Sequence, residues 1–317
     1  MKMNAALKVL FFFTDLILPL TVGYLLKKTK LKPKFFDQMM YWHILVLAPI
    51  MAVLSFWTIS LDTELIWLPI LGVIMQIVPG LIGYFRVKHK YDSPLDQGAY
   101  ILSTMLVNRG VVGTLCLFIL FGEEGYAYAQ LVMLFSNVVL YMFCFPMARY
   151  FYQAGRGGEG ESLSIKKILL NPKQIPVIGI FIGFILNWTG LQRPAVFDSS
   201  FEWMVHLSAW MSVLPIGYFM DFQEIKHFWK STLDVFWIRF VATPLVVLLI
   251  ALPFIKGLEA LLSVVIISAS PTAINAVITS KLNDLNMHLA MASLITTTAA
   301  YLLVIFPLIV ILVEMVV

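Results

Sequence analysis

The chain has 317 residues, of which 60% are hydrophobic and 13% charged, and its mean hydropathy is +0.89. That leaves too little polar surface to clothe a soluble globule. The net charge of +4 and pI near 8.9 do not signal nucleic acid, because the basic residues cluster in short loops between apolar runs, where membrane topology explains them.

Ten apolar runs follow, near 8–27, 37–57, 64–85, 97–121, 126–152, 172–188, 200–220, 232–254, 258–280 and 286–314. At about 20 residues and 1.5 Å per residue, each is long enough to cross a hydrocarbon core of roughly 30 Å as a helix. The opening "MKMNAALKVLFFFTDLILPL" resembles a signal peptide, but Asp15 interrupts it and no A-x-A site follows, so it reads as the first span. Asp15 is a candidate for a coupling proton, and equally a partner for a lysine or a cap on a local break. In the second span His43 precedes Pro49, a kink. His43 is either a cavity-lining coupling candidate or, with Tyr41 and Trp42, an interface anchor. Cys116 and Cys144 lie in apolar segments and read as packed thiols. Glu123 and Glu124 read as a solvated loop, Asn137 as a polar candidate in the fifth span, and Asp234 with Arg239 as a mutually neutralising pair.

Loop charges orient the chain. Sixteen Lys and Arg fall on one side, including Lys27, Lys28, Lys30, Lys32 and Lys34, against Lys2, Lys8, Arg193 and Lys256 on the other. The excess marks the cytoplasm and places both termini outside. The segment "QAGRGGEGESLSIKK" reads as a cytoplasmic linker, 153–170, between halves 1–152 and 171–317.

The halves repeat each other. "VGYLLKKTKLKP" and "IGFILNWTGLQRP" align with Gly23 and Gly183 160 positions apart, and Pro146 and Pro307 are 161 apart. Because five spans is an odd number, the repeats have opposite orientation, the plan of many secondary transporters whose site lies where broken helices meet. The breaks are expected at "NRGVVG" (108–113) and at "SASPTAINA" (268–276), where Pro271 interrupts the ninth span.

These motifs resemble those of the auxin efflux carrier family, which includes the plant PIN exporters and many bacterial permeases and falls in the bile-acid/sodium-symporter-like superfamily. The family pattern N-T-G-ϕ-ϕ-G-ϕ-P is matched by Asn108, Arg109, Gly110, Val111, Val112, Gly113, Thr114 and Leu115, then "LFGEEG". "ASPTAINA" resembles the second crossover and "NPKQIPVIGIFIGFIL" the opening of the sixth span. Two departures are Arg109, where a small polar residue is usual, and Leu115, where proline is usual. The missing proline predicts a first break less open than the second. The resemblance implies an all-α polytopic membrane protein with crossing broken helices, a scaffold of spans 1, 2, 6 and 7, a mobile unit of spans 3–5 and 8–10, elevator-like movement and a homodimer.

A charge at the centre of an apolar helix costs about 2.5–3.5 kcal/mol on insertion scales, so Arg109 needs a reason. One reading has Asn108, Arg109, Gly110, Val111, Asn137, Pro271, Thr272 and Asn275 seat an organic anion, with Gly113, Ser270, Ala273 and Pro49 shaping the crossover. The other makes Arg109 a strut that neutralises helix C-termini. Either way a fixed cation competes with sodium. The reading is a secondary transporter of an auxin-like indole acid or small dicarboxylate in the cytoplasmic membrane, without cofactor or metal. A proton- or sodium-coupled malate or malonate permease is the alternative, with a channel or a transporter-like sensor behind it. An intramembrane enzyme is disfavoured, because no nucleophile–base constellation appears.

Overall fold

The computed structural model describes residues 10–59, 63–156, 175–220 and 225–316, so the expected linker lies outside the described residues from 157 onward. Among the described residues, five helices are long and apolar enough to cross a membrane: Pro33–Thr58, Thr63–Val87, Arg109–Arg156, Lys230–Ala251 and Met287–Val316. The 48-residue helix Arg109–Arg156 reverses at Gly122, whose φ of 65° and ψ of −144° suit glycine. On either side of that turn, Phe118 and Tyr126 both pack on Phe201. In chain order the helices are α1 (Leu10–Leu26), α2 (Pro33–Thr58), α3 (Thr63–Val87), α4a (Pro94–Met105), α4b (109–121), α5 (123–156), α6 (Ile175–Trp188), α7 (Val196–Phe219), α8 (Lys230–Ala251), α9a (Leu258–Ser268), α9b (Ile274–Leu282) and α10 (Met287–Val316). The exterior is apolar, with Trp188 84% and Trp203 77% exposed, while Arg109 and Arg239 are buried. That inversion suits lipid, not water.

Prolines shape the helices in a repeated way. Segments Phe13–Ile17, His43–Leu47, Leu140–Cys144, Ile238–Ala242 and Tyr301–Ile305 are each wound one residue wider than an α-helix. Each ends two residues before a proline: Pro19, Pro49, Pro146, Pro244 and Pro307. A proline ring clashes with the carbonyl four residues back, and the wider turn moves that carbonyl aside. A sixth such turn, Arg109–Gly113, ends two residues before Leu115. There Thr114 Oγ1 donates to the Arg109 carbonyl at 2.9 Å, as Thr243 Oγ1 does to Ile238 at 2.6 Å beside Pro244. Because room for the ring already exists, Leu115→Pro is expected to change stability by less than about 1 kcal/mol, whereas Leu117→Pro should cost about 3 kcal/mol or more. Thermal melts of the two variants in detergent check this.

Glycines set the closest helix approaches. A Cβ on Gly23 in α1 would sit 2.0 Å from the Leu214 carbonyl oxygen in α7, and one on Gly183 in α6 would sit 2.7 Å from that of Val53 in α2. Only glycine lets these backbones meet. Side-chain bonds reinforce the same grouping. Lys27 Nζ donates to the Met220 carbonyl (2.9 Å), Asn187 Nδ2 to those of Trp57 and Ile59 (2.9 Å each), and His43 Nε2 lies 2.7 Å from Ser208 Oγ. In a second group, Asp234 on α8 accepts from Arg86 on α3 (2.6 Å), from Lys90, and from Tyr100 on α4a (2.7 Å). Glu64 on α3 accepts the Lys256 and Gly257 N–H groups before α9a (2.8 and 3.0 Å).

Candidate functional site

Two helices break and meet. α4 is unwound at residues 106–108 and α9 at 269–273, and Val107 pairs with Thr272 as an antiparallel bridge. Asn108 N–H donates to the Pro271 carbonyl and Ala273 N–H to that of Leu106, both at 2.8 Å. The crossing thus satisfies backbone groups that have no water to bond to at membrane depth. Thr272 reinforces it, its Oγ1 donating to the Ser103 carbonyl (3.0 Å) and its N–H to Thr297 Oγ1 (3.1 Å). Gly113 lets α4b meet α9a, since a Cβ there would lie 2.7 Å from Ser270 Oγ.

The first break differs from the expected position at 108–113. It precedes Arg109, because the bridge consumes 106–108 and Gly113 N–H returns to the Asn108 carbonyl at 3.1 Å, winding the glycines into a helical turn. It is also the shorter of the two breaks, three residues against five.

The crossing sorts helix ends by charge. The C-terminal carbonyls of α4a and α9a converge on Arg239 of α8, which is fully buried. Its Nη1 donates to the Thr104 carbonyl (2.9 Å), its Nη2 to those of Ser268 (3.2 Å) and Ser270 (3.0 Å), and its Nε to Ser270 (3.2 Å). The role of neutralising opposed C-termini therefore belongs to Arg239. Its expected partner Asp234 is instead taken by Arg86, Lys90 and Tyr100.

The N-terminal turns of α4b and α9b face a cavity of two lobes, about 240 and 210 Å³. Gly110, Asn137, Asn275 and Gln130 line both lobes, His43 and Val111 line the first, and Arg109, Gln76 and Ala273 the second. Carboxylates are absent from the described lining. Arg109 is 2% exposed, with Nη1 donating to the Gly72 carbonyl of α3 (2.7 Å) and Nη2 to Ser136 Oγ of α5 (3.0 Å). It therefore ties three helices together under the cavity. Ser136 is within reach because α5 is interrupted at 134–135 and restarts there.

Several candidates lie elsewhere. Asn108, Ser270, Pro271 and Thr272 build the crossing but do not line the cavity, and neither do Gly113 and Pro49. Asp15 pairs with His206 of α7 (2.5 Å), away from the crossing, so neither a lysine nor a cap is its partner. Glu123 is not a free loop residue: Arg193 donates to both its carboxylate oxygens, Nη2 to Oε2 at 2.9 Å. Residues missed from sequence include Gln76 and Gln130, lone amides in apolar helices, whose Gln76 Oε1 is buried without a partner.

Broken helices that cross inside an apolar bundle, with their N-terminal turns around a polar cavity, define a membrane transport protein. Residues 13–312 match the membrane transport protein family, and the chain belongs to it, the auxin efflux carrier family that its crossover motifs resemble. It is also 27% identical over 255 residues to an uncharacterized transporter of Methanocaldococcus jannaschii, covering 76% of this chain and 77% of that relative.

Proposed function

We propose that the protein is a secondary transporter that carries a small organic anion, an auxin-like indole acid or a malate- or malonate-sized dicarboxylate, by elevator-like alternating access. The observation that carries this reading is the cavity itself: two helix N-termini, four carboxamides and a buried guanidinium around a lining with no described carboxylate. Helix N-termini and guanidinium both favour negative charge, and amides supply donors and acceptors to the rest of a ligand. The same positive potential opposes sodium, which supports sodium-independent transport. Of the two coupling candidates, His43 faces the cavity and Asp15 does not, so a proton-coupled version runs through His43.

Two inverted five-helix repeats, 1–152 and 171–317, are supported by the swapped contacts of Gly23 with Leu214 and Gly183 with Val53. An offset of 160 carries one pair onto the other within a single residue. Scaffold (α1, α2, α6, α7) and mobile unit (α3–α5, α8–α10) are supported by the bonds of Lys27, Asn187 and His43 on one side and of Asp234 and Glu64 on the other, which close within one group or the other. Contacts between the groups include aromatic ones, Phe12 on Phe306 and Tyr126 on Phe201, and apolar surfaces can slide. The Arg193–Glu123 pair joins the groups, so it must part for the mobile unit to move. Both termini are assigned outside a cytoplasmic membrane from the loop charges. A homodimer is supported by the outer groove at Asp15 and His206, bordered by Glu202 and Trp203, which a second copy would cover better than lipid.

Thermal-shift screening against indole-3-acetate, malate and malonate tests the anion reading. One of them should stabilise the protein by about 2.7 kcal/mol at a hundredfold excess over Kd, and Arg109→Gln should lose most of that gain. An equal gain in a folded Arg109→Gln protein would make the arginine purely structural. No gain with any of the acids would sink the anion class.

A further inference from the structure

Remote from the crossing, a groove of about 910 Å³ opens between the C-terminal end of α3 and the start of α8. We propose that it seats the headgroup phosphate of an anionic phospholipid. α3 is an apolar helix that ends in a basic run, with Arg86, Lys88 and Lys90 within five residues, and α8 opens on Lys230. Those ends therefore lie at headgroup depth.

The groove carries three cations, Arg86, Lys90 and Lys230, against one carboxylate, Asp234, a surplus of two positive charges. Asp234 takes only Nε of Arg86, whose side chain is 58% exposed and lines the groove. Lys230 stands over the Trp229 ring at 5.6 Å, a contact that steers the ammonium without cancelling its charge. Below the cations the wall is apolar, with Ile82 joined by Phe85 and Leu233, 71% and 52% exposed. A soluble phosphate would use the charges and leave that wall uncovered. A zwitterionic lipid would cover the wall but bring its own cation to a site already in surplus. An anionic phospholipid satisfies both halves, its phosphate between the cations and its chains along Phe85 and Leu233.

The proposal depends on membrane insertion alone and stands apart from the choice of cargo. Delipidated protein is titrated with phosphatidylglycerol, with phosphatidylcholine and with inorganic phosphate, following retained lipid by native mass spectrometry and stability by thermal melt. Phosphatidylglycerol should be retained and stabilising where phosphatidylcholine is not. Lys230→Glu should weaken phosphatidylglycerol about tenfold, and Leu233→Asn should weaken the lipid while leaving the charges in place. Lys28→Glu, in another basic loop, serves as the control and should change nothing. Equal phosphatidylglycerol affinity in Lys230→Glu and the parent protein would overturn the assignment. So would inorganic phosphate alone reproducing the stabilisation, which would identify a soluble-anion site.

Discussion

Arg239→Leu is expected to cost at least about 3 kcal/mol and to leave little monodisperse protein after solubilisation. The guanidinium satisfies the carbonyls of Thr104, Ser268 and Ser270, at the buried C-terminal ends of two half-helices aimed at each other. Each buried carbonyl left without a donor costs roughly 1–3 kcal/mol. Leucine returns the desolvation cost of the charge, yet it offers no donor to any of the three. Arg239→Lys keeps the charge but loses the planar fork that reaches both helix ends, so it should fall between leucine and the parent. Size-exclusion profiles and melting temperatures of the two variants give the ranking. A leucine variant that melts within a degree or two of the parent would show that the crossing holds itself together through its backbone bridge.

Glu123→Gln should leave the fold intact and, under the proposed elevator movement, shift the balance between transport conformations. Arg193 is 7% exposed at its side chain and keeps two other partners when Glu123 is neutralised, Asp198 at 2.6 Å and the Leu54 carbonyl at 2.9 Å. What is lost is the ionic bond between the proposed scaffold and the proposed mobile unit. A partly buried bidentate pair contributes about 1–2 kcal/mol, which converts to a roughly 5- to 30-fold change in population. The readout is labelling of Val205→Cys, a buried position at the boundary, by a membrane-impermeant maleimide. The native Cys116 and Cys144 are buried. Labelling should quicken about tenfold in Glu123→Gln, and Arg193→Gln with Glu123→Gln together should do no more than Arg193→Gln alone. An unchanged labelling rate would mean that the two groups part without straining this pair.

Much of the site was legible because membrane insertion punishes polarity. The other basic residues lie in loops or within a few positions of a run end, and the two that sit well inside apolar runs are Arg109 and Arg239. Reading Arg239 as a partner for Asp234 followed from their spacing of five positions in sequence. The tertiary structure separates them because Asp234 faces the α3 loop while Arg239 faces the crossing. Glu123 misled for the opposite reason. A short polar loop reads as solvated, and its cation, Arg193, lies 70 positions further along the chain.

By itself the sequence determined the membrane class, the family, the approximate helix ends and the existence of two breaks, because each rests on local properties: run length, proline and glycine chemistry, and the cost of a charge in hydrocarbon. Only the tertiary structure decided which break residues pair, which arginine meets the carbonyl ends and which ties α3 to α5 beneath the cavity. Those choices depend on which half-helix end points where, and that direction is set by packing between different helices, from Ser136 against Arg109 to Thr104 against Arg239.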